Sequence, residues 1–370
     1  MKILVFNLGS SSLKFKLIDM PEEKTISEGI IDGIGFPICK IIIDKKEKIQ
    51  KISNHEQAIK ILLSVLNLKN IDAVGCRVVH GGEFYKKTTL INKDVLKKID
   101  ELGNLAPLHN PIALACIKIS QEKLKGIKHF AVFDTAFHQT LPEKAYLYAI
   151  PKKYYEKYKI RKYGFHGISH KYVMLEAQKI LNKKNVNLIT CHLGHGSSIC
   201  AIKNNISIET SMGFTPLQGL IMGERSGDID PAIIEFLAKK ENLTISQIFN
   251  ILNKESGLKG ISGLKDMRTI YEKSRKGDLS CKLAIEMFVY RLVQYIGSYV
   301  AILGKVDGIV FTGGIGEGAF YVREKVADYL NIKLNKSKNL NEKGIVSDKS
   351  KLKILVIPTN EELMIAREIS

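Results

Sequence analysis

The sequence lacks the features that mark membrane, secreted and zinc-binding proteins. In its 370 residues no apolar run approaches the roughly 20 residues that cross a bilayer. The apolar stretch over residues 3–6 is too short for the core of a signal peptide. None of the six cysteines belongs to a C-x-x-C pair. We therefore expect a cytoplasmic protein with reduced thiols, without a membrane partner, a disulfide framework or a zinc site.

Arginine is scarce in a chain that is otherwise strongly basic. The formal net charge is +18, yet only 8 of the 56 basic residues are arginine. The lysines are scattered, often beside Glu or Asp, whereas proteins that read nucleic acid depend on arginine and on clustered charge. We therefore expect a lysine-rich solvated surface and no nucleic-acid partner. The scarcity also draws attention to Arg77 and Arg225, which lie at loop-like positions.

Three common nucleotide-binding signatures are absent or incomplete. There is no G-x-x-x-x-G-K-[ST] segment, which excludes a Walker-type site, and no H-R-D or D-F-G, which excludes the protein-kinase fold. Residues 314–319 spell G-x-G-x-x-A, but a dinucleotide site needs an acidic residue about 20 positions later, after a further strand. Asp328 comes too early for that role and lies within a predicted helix.

Strands and helices alternate along the chain. Short apolar runs bounded by Gly and Ser predict strands over 2–6, 13–18, 71–79, 130–133, 188–193, 199–203, 306–312 and 353–357. Apolar spacing predicts helices over 55–68, 169–182 (opened by Ser169) and 281–303, and a short helix from Glu361. The alternation predicts an α/β fold. The long 281–303 helix belongs either to the core or to an interface between subunits.

The sequence contains an internal repeat. The segments NLGSSSLKFKLI at the start and HLGHGSSICAIK near residue 192 both read as strand, Gly/Ser turn and strand. Two such hairpins predict a duplicated domain with a cleft between its halves. Each turn exposes backbone N–H groups that bind anionic oxygen, although a single turn of this kind is more often a plain hairpin. Together with a Gly-rich loop predicted over 313–318, the two turns favour a polyphosphate ligand.

Several polar residues have positions suited to phosphoryl transfer, which depends mostly on positioning and charge neutralisation. His166 lies between glycines and is either a donor to a phosphoryl group or a structural histidine. Asp134 ends a predicted strand and is either an active-site carboxylate or the N-cap of residues 135–139. Asn7 and Glu361 are suited to hold a hydrated Mg²⁺, which prefers oxygen ligands.

Ten segments resemble acetate kinase and occur in that family's order from residue 3 to residue 367. They read NLGSSSLKFKL, RVVHGGE, LAPLHNP, FDTAFHQTLP, RKYGFHGISHKYV, HLGHGSS, TSMGFTPLQGLIMGERSGDIDP, ISGLKDMR, FTGGIGEG and IPTNEELMIAR. The resemblance implies a duplicated actin-like (ribonuclease H-like) α/β kinase fold with an interdomain cleft. It also implies a homodimer and a reversible, Mg²⁺-dependent transfer of phosphate from ATP to acetate, giving ADP and acetyl phosphate, with Mn²⁺ as a substitute metal.

The resemblance further implies two domains and a role for each matching residue. The domain over 1–136 and 362–370 would take the acyl substrate, and the domain over 137–361 the nucleotide and the dimer contact. The implied roles are catalysis for Asp134, His166 and Arg225; acyl-substrate binding for Arg77, Val79, Leu108, Phe165 and Pro216; ATP binding for Ser10, Ser12, Lys14, His192, Leu193, Gly194, His195, Gly196, Asp266, Met267, Arg268, Gly314, Ile315, Gly316, Glu317 and Gly318; and Mg²⁺ binding for Asn7 and Glu361. Because acetate is already ionised at neutral pH, we expect Asp134 to position the substrate or Mg²⁺ rather than to abstract a proton.

Four residues depart from the family pattern. Cys76 replaces the usual His, His195 the usual Asn, Glu224 the usual Thr and Gly318 the usual Asn. An imidazole at position 195 predicts that nucleotide binding strengthens at acidic pH. Glu224 either points outward or pairs with Arg225 and weakens it, and Gly318 predicts a looser adenine-side loop.

Two alternative functions stay open. A propionate kinase of the same family is one, since a single methylene is worth only about 1–3 kcal/mol of discrimination. A nucleotide-binding relative without catalysis is the other. The four departures permit it, whereas the retained Arg77, Asp134, His166 and Arg225 argue against it.

Overall fold

A computed structural model describes residues 1–107, 109–341, 344–348 and 350–370. These residues divide into two compact units. The first unit contains Met1–Gln139, Gly167–Ser169 and Asn360–Ser370, and the second contains Thr140–His166 and His170–Thr359.

The helices and strands of both units follow in chain order. The strands are β1 (Lys2–Leu8), β2 (Ser12–Asp19), β3 (Lys24–Asp32), β4 (Cys39–Ile43), β5 (Lys46–Gln50), β6 (Ala73–Val78), β7 (Thr89–Leu90), β8 (Lys128–Phe133), β9 (Leu188–Leu193), β10 (Ser197–Lys203), β11 (Ile206–Thr210), β12 (Gly308–Thr312), β13 (Gly344–Ile345) and β14 (Lys353–Val356). The α-helices are α1 (His55–Val65), α2 (Lys93–Glu101), α3 (Asn110–Lys123), α4 (Glu143–Tyr146), α5 (Lys153–Tyr158), α6 (Gly167–Leu181), α7 (Ala232–Lys240), α8 (Ile245–Lys254), α9 (Gly257–Ser262), α10 (Met267–Arg275), α11 (Leu279–Leu303), α12 (Gly313–Gly318), α13 (Phe320–Tyr329), α14 (Lys336–Asn341) and α15 (Glu361–Arg367). Short 3₁₀ helices cover Leu102–Asn104 and Ala136–Thr140.

The sheet of the first unit has the order β5-β4-β3-β2-β1-β6-β8-β7. Strand β1 pairs antiparallel with β2, from Lys2↔Asp19 to Leu8↔Leu13, and parallel with β6. Residues of β1 are buried on both of its faces, as in a central strand that is covered on both sides. Phe6 of β1, Leu62 of α1 and Ile117 of α3 belong to one apolar core.

The sheet of the second unit has the order β11-β10-β9-β12-β14-β13. Strand β9 pairs antiparallel with β10 and parallel with β12. The long helix α11 lays one apolar face, which includes Phe288, Leu292 and Ile296, into the core around this sheet.

The same strand order occurs in both units. In the first unit it is β3-β2-β1-β6-β8 and in the second β11-β10-β9-β12-β14, an antiparallel hairpin followed by two parallel strands in each case. The two Gly/Ser hairpins of the repeat occupy equivalent places in these sheets. This correspondence confirms the predicted duplicated α/β fold.

Residues 313–318 were predicted to form a loop, and this prediction is wrong because they form helix α12. Glycine disfavours a helix, so the turn depends on tertiary contacts. The Glu317 carboxylate accepts the N–H of Gly313 at 2.9 Å. The buried Arg323 donates to the carbonyl groups of Gly316 and Glu317, at 2.7 and 2.8 Å, and so satisfies the last turn.

Helix α6 begins at Gly167 rather than at the predicted Ser169, and its N-cap is His166 in a left-handed conformation, with φ of 58°. Helix α1 ends at Val65, earlier than predicted.

On α11 the side chains of Leu283, Met287 and Tyr290 are 40–56% exposed, so this helix has one face in the core and another at the surface. Among the described residues, no helix has the length and apolar character required to span a bilayer.

All six cysteines are buried and none forms a disulfide, as the composition indicated. Cys76 lies within β6 and belongs to the core of the first unit. Burial raises the pKa of its thiol far above the ordinary value, which keeps the sulfur protonated. A small apolar thiol is therefore well suited to this position.

Candidate active site

A polar network lies at the carboxyl ends of the central strands of the first unit. Asn7 is near the end of β1, Arg77 is near the end of β6, and Asp134 follows β8. These three strands are parallel, so their ends meet at one edge of the sheet, where ligands of α/β proteins commonly bind. The guanidinium of Arg77 donates to Asp134 Oδ2 at 2.9 Å, to the carbonyl oxygen of Leu8 at 3.1 Å and to Asn7 Oδ1 at 3.3 Å.

Helix α15 adds two carboxylates to this network. The amide nitrogen of Asn7 donates to Glu361 Oε2 at 2.9 Å and to Glu362 Oε1 at 2.7 Å. Asn360 caps the helix by accepting the N–H of Leu363 at 3.2 Å. The predicted pair of Asn7 and Glu361 is therefore in direct contact, through the amide N–H groups.

Charge is concentrated and shielded from water in this network. The side chains of Arg77 and Asp134 are 12% and 1% exposed. Burial by itself would lower the pKa of Arg77, but the charges of Asp134, Glu361 and Glu362 outweigh that effect and raise this pKa. Within the described part of the chain, Arg77 Nε is buried and has no hydrogen-bond partner. The network thus combines carboxylates that suit a cation with a guanidinium that still has a donor for an anion.

The chemistry of these donors fits Mg²⁺ better than a metal that needs a dense protein cage. Carboxylate and amide oxygens are the ligand types that Mg²⁺ prefers, and it usually keeps several waters and bonds to substrate phosphates. Over the described ranges, no group of three or more His, Cys, Asp or Glu side chains forms a metal cage.

The first Gly/Ser turn is braced from within its own unit. Gly9 N–H donates to the carbonyl of Ser12 at 2.9 Å, and a Cβ atom at Gly9 would lie only 2.6 Å from Ser12 Oγ. The Nε2–H of His55, the first residue of α1, donates to the carbonyl of Gly9 at 2.9 Å. Burial lowers the pKa of His55, which favours the neutral ring in this role. Ser10 and Lys14 remain exposed on the turn and on β2.

The second Gly/Ser turn, at residues 194–196, lies against two of the predicted catalytic side chains. A Cβ atom at Gly196 would lie 2.9 Å from Arg225 Nη2 and 3.4 Å from the ring of His166, so a larger residue would push both away. Arg225 is fixed by donating to the carbonyl of Pro216 at 2.7 Å. Burial lowers the pKa of Arg225, and the charge of Glu224 opposes this.

A chain of hydrogen bonds through Ser198, His170 and Thr190 orients the ring of His166. Its Nδ1 lies 2.9 Å from Ser198 Oγ, which lies 2.8 Å from His170 Nε2, and His170 Nδ1 lies 2.7 Å from Thr190 Oγ1. The ring of His192 stacks on His166 with centroids 4.2 Å apart. The left-handed backbone of His166 is unusual for a residue other than glycine, and such strain is common at functional sites.

Sequence reasoning missed the supporting residues His55, His170 and Thr190. The one available signal was the four-residue spacing of His166 and His170, which brings His170, in the first turn of α6, close to His166 at its N-cap.

The predicted adenosine-side residues lie at two helices of the second unit, α10 and α12. Asp266 caps α10 by accepting the N–H of Thr269 at 3.0 Å, and this bond lowers the pKa of Asp266. Met267 is buried and its carbonyl accepts the Tyr321 hydroxyl at 3.0 Å, which ties α10 to α13. The Arg268 side chain is 87% exposed. Gly314 and Gly318 of α12 are exposed, and a Cβ atom at either would meet no neighbour within 4 Å.

The residues predicted for the acyl pocket are divided between the units. Val79 is buried in the first unit directly after β6. Phe165 and Pro216 belong to the second unit. Leu108 lies outside the described residues.

Both predictions for Glu224, that it points outward or that it pairs with Arg225, are wrong. Its side chain is only 20% exposed, so it does not simply point outward. Over the described ranges its ion pairs are with Lys259 and Lys265 and not with Arg225, and the His195 ring, which is charged only when protonated, lies 3.3 Å from its Oε2. Arg225 therefore keeps its own charge beside the second turn.

The doubled sheet with its two Gly/Ser hairpins defines a duplicated actin-like α/β fold. The chain belongs to the acetokinase family, whose model matches residues 2–367. An acetate kinase of Thermotoga maritima is 50% identical over 393 residues, covering 100% of this chain and 98% of that protein. A solved propionate kinase from Francisella tularensis is 43% identical, with a TM-score of 0.95 over 99% of this chain and 98% of that chain. A solved acetate kinase from Porphyromonas gingivalis is 39% identical, with a TM-score of 0.92 over 99% and 98%.

Proposed function

We propose that this protein is an acetate kinase, which transfers the terminal phosphoryl group of ATP directly and reversibly to acetate, giving ADP and acetyl phosphate. The observation that carries the proposal is the network around Arg77. Its guanidinium is largely shielded from water, is held by Asp134 and Asn7, and keeps Nε as a donor without a partner among the described residues. A small carboxylate is a matching acceptor, since guanidinium donors bind carboxylates strongly. The named acetate kinases among the relatives support the same assignment.

In this reaction the protein positions groups and neutralises charge. Arg77 binds the acetate carboxylate and offsets its repulsion by the phosphate. Asp134 holds Arg77 in place. It does not act as a base, because acetate is already ionised and needs none. His166 and Arg225 donate to the phosphoryl group in transit, where charge is redistributed over its oxygens. Val79, Leu108, Phe165 and Pro216 supply the apolar surface for the methyl group.

The nucleotide is assigned to the two Gly/Ser turns and to the helices beyond the second turn. Its proposed contacts are Ser10, Ser12, Lys14, residues 192–196, residues 266–268 and residues 314–318. Glu361 and Asn7 would hold Mg²⁺, or Mn²⁺ in its place, with the Asn7 amide fixing the Glu361 carboxylate. Such an ion supplies charge neutralisation on the phosphates. We assign the acyl substrate to the domain over 1–136 and 362–370, and the nucleotide to the domain over 137–361.

We also propose a cytoplasmic homodimer. Leu279, Leu283, Met287 and Tyr290 lie along one side of α11 and are 40–78% exposed. Tyr329 of α13 is 59% exposed, and it shares a surface pocket with Met287 and Tyr290. An apolar stripe of this kind is suited to an interface between copies. Analytical ultracentrifugation of the wild type and of Leu283→Glu tests the proposal, which predicts a dimer for the former and a monomer for the latter.

A hydroxylamine trap for acyl phosphates tests the activity. The protein is incubated with ATP, Mg²⁺ and acetate, propionate or butyrate in parallel. A strong signal with acetate that weakens with chain length is the expected result. The best signal with propionate would change the preferred substrate and leave the mechanism unchanged. Nucleotide binding without acyl phosphate formation from any of the three acids would identify a relative without catalytic activity.

A further inference from the structure

Two of the four departures from the family pattern touch each other. His195 lies at the tip of the second Gly/Ser turn, and its Nε2 is 3.3 Å from Glu224 Oε2. Glu224 lies next to Arg225 in the chain, and the neighbouring Gly223 donates its N–H to the carbonyl of His195 at 3.3 Å. The tip of the turn and the segment that carries Arg225 are thus joined by a backbone bond and by a side-chain pair.

Two lysines from different segments also approach the carboxylate of Glu224. Lys259 of α9 approaches Oε1 at 3.4 Å, and Lys265, just before α10, approaches Oε2 at 3.5 Å. The side chain is 20% exposed, whereas His195 is 59% exposed and so open to a ligand. Glu224 therefore holds His195 beside the turn and balances the two lysines around it.

The charges that face His195 set its protonation. Burial and the positive charges of Arg225 and Lys265 lower the pKa of His195, and Glu224 raises it. The ring is therefore mostly neutral near pH 7. A polyphosphate bound at the turn adds negative charge beside the ring and favours its charged form.

We propose that Glu224 is a positioning residue of the second phosphate turn, acting through His195, and that this pair couples nucleotide phosphate binding to the uptake of a proton by His195. The inference rests on the proposed nucleotide site at this turn. It gives Glu224 a role that neither a threonine at this position nor an outward-pointing carboxylate would have. Lys259 and Lys265 support the pair by keeping the carboxylate ionised, and they lower the pKa of Glu224 against the effect of its burial.

The test measures the pH dependence of ATP binding and the protons taken up with it. The KM for ATP is determined from pH 5.5 to 8 in the wild type, His195→Asn, Glu224→Gln and Glu235→Gln. Binding of MgADP is followed by calorimetry in two buffers of different ionisation heat, which counts the protons. Glu235 is the matched control because it is an exposed carboxylate on α7 whose ion pair is with Lys239.

In the wild type and in Glu235→Gln, we expect the KM for ATP to rise with pH, by up to about tenfold for each unit that bound phosphate adds to the pKa of His195. Proton uptake should accompany MgADP binding. His195→Asn should give a flat profile and no uptake. Glu224→Gln should shift the midpoint to lower pH, because the charge that favours the imidazolium is lost.

A merely structural role for Glu224 would change affinity equally at every pH. An unchanged midpoint in Glu224→Gln, or a flat wild-type profile in an active enzyme, overturns the inference and leaves the proposed function standing. Proton-linked MgADP binding without acyl phosphate formation would support the pair while refuting the kinase activity. Absence of any nucleotide binding would overturn both.

Discussion

Arg323→Met removes the side chain that holds helix α12 together. Arg323 is fully buried and donates to the carbonyls of Gly316 and Glu317 and to Asn339 Oδ1, at 2.7, 2.8 and 2.7 Å. Hydrogen bonds from a charged donor contribute about 1.5–3 kcal/mol each. Methionine fills part of the space and removes a buried charge, so the net loss is smaller than the sum of these bonds. We expect roughly 3–5 kcal/mol, because the buried oxygens of Gly316, Glu317 and Asn339 lose their donor, at about 1–3 kcal/mol each.

For a unit of this size, that loss lowers Tm by roughly 10 °C. The last turn of α12 should also fray, because its glycines have little helix preference of their own. We therefore expect the KM for ATP to rise by about tenfold, a cost of about 1.4 kcal/mol in binding, with a smaller change in kcat. Differential scanning fluorimetry gives the first quantity, and the hydroxylamine assay at varied ATP gives the second.

Arg275→Met is the matched control, because Arg275 is exposed at the end of α10. It should leave both Tm and the KM for ATP unchanged. A Tm for Arg323→Met equal to that of the control would refute the energetic reasoning. A lower Tm with an unchanged KM for ATP would show that α12 is important for folding and does not contact the nucleotide.

Three further outcomes are expected. Arg225→Ala should lower kcat for acetyl phosphate formation by about 10²-fold or more, because a charged donor to the transferring group is lost. His170→Ala should lower kcat by roughly tenfold to a hundredfold at an almost unchanged KM for ATP, because Ser198 then no longer fixes His166. Stability should fall as the pH decreases below about 6.5, since burial lowers the pKa of His80 to about 3 and only the unfolded chain binds the proton. Denaturant titrations should show a loss of about 1.4 kcal/mol per pH unit, and a flatter dependence in His80→Gln.

A different result in each of these three experiments would contradict the corresponding prediction. Turnover like that of the wild type in Arg225→Ala would remove this residue from the catalytic set. An increased KM for ATP at constant kcat in His170→Ala would indicate a binding role and contradict the orienting one. An identical pH dependence of stability in the wild type and His80→Gln would assign the acid sensitivity to other groups.

The elements that could be predicted from the sequence are those whose signal is local. Apolar runs on either side of Gly/Ser turns predict strands β1, β2, β9 and β10. The internal repeat predicted that the two hairpins occupy equivalent places in the two sheets. The positions of Asn7, Arg77 and Asp134 at strand ends could be anticipated for the same reason. Parallel strands then bring these ends together without any further information.

The features that escaped prediction depend on contacts between distant parts of the chain. Helix α12 has the composition of a loop, and it is Arg323 together with Asn339, further along the chain, that makes it helical. The partners of Glu224 are 35 and 41 residues away, on α9 and before α10, so no local pattern could reveal them. His170 resembles any helical histidine until Ser198 from β10 is placed beside it.

The order in which the two units are completed during synthesis follows from the place of α15 in the first unit. Asn7 and Glu361 touch although 354 positions separate them, and Gly75 of β6 has no room for a side chain because Ile365 and Ile369 cover it. The first unit is therefore begun early in synthesis and lacks its closing helix until nearly all of the second unit has been made. During that interval Asn7 and Arg77 have no carboxylate from α15, and the face of β6 at Gly75 is uncovered. The unit that starts first is consequently the one that finishes last, and a nascent chain stalled before residue 360 would hold all residues of the second unit while the first still lacked α15.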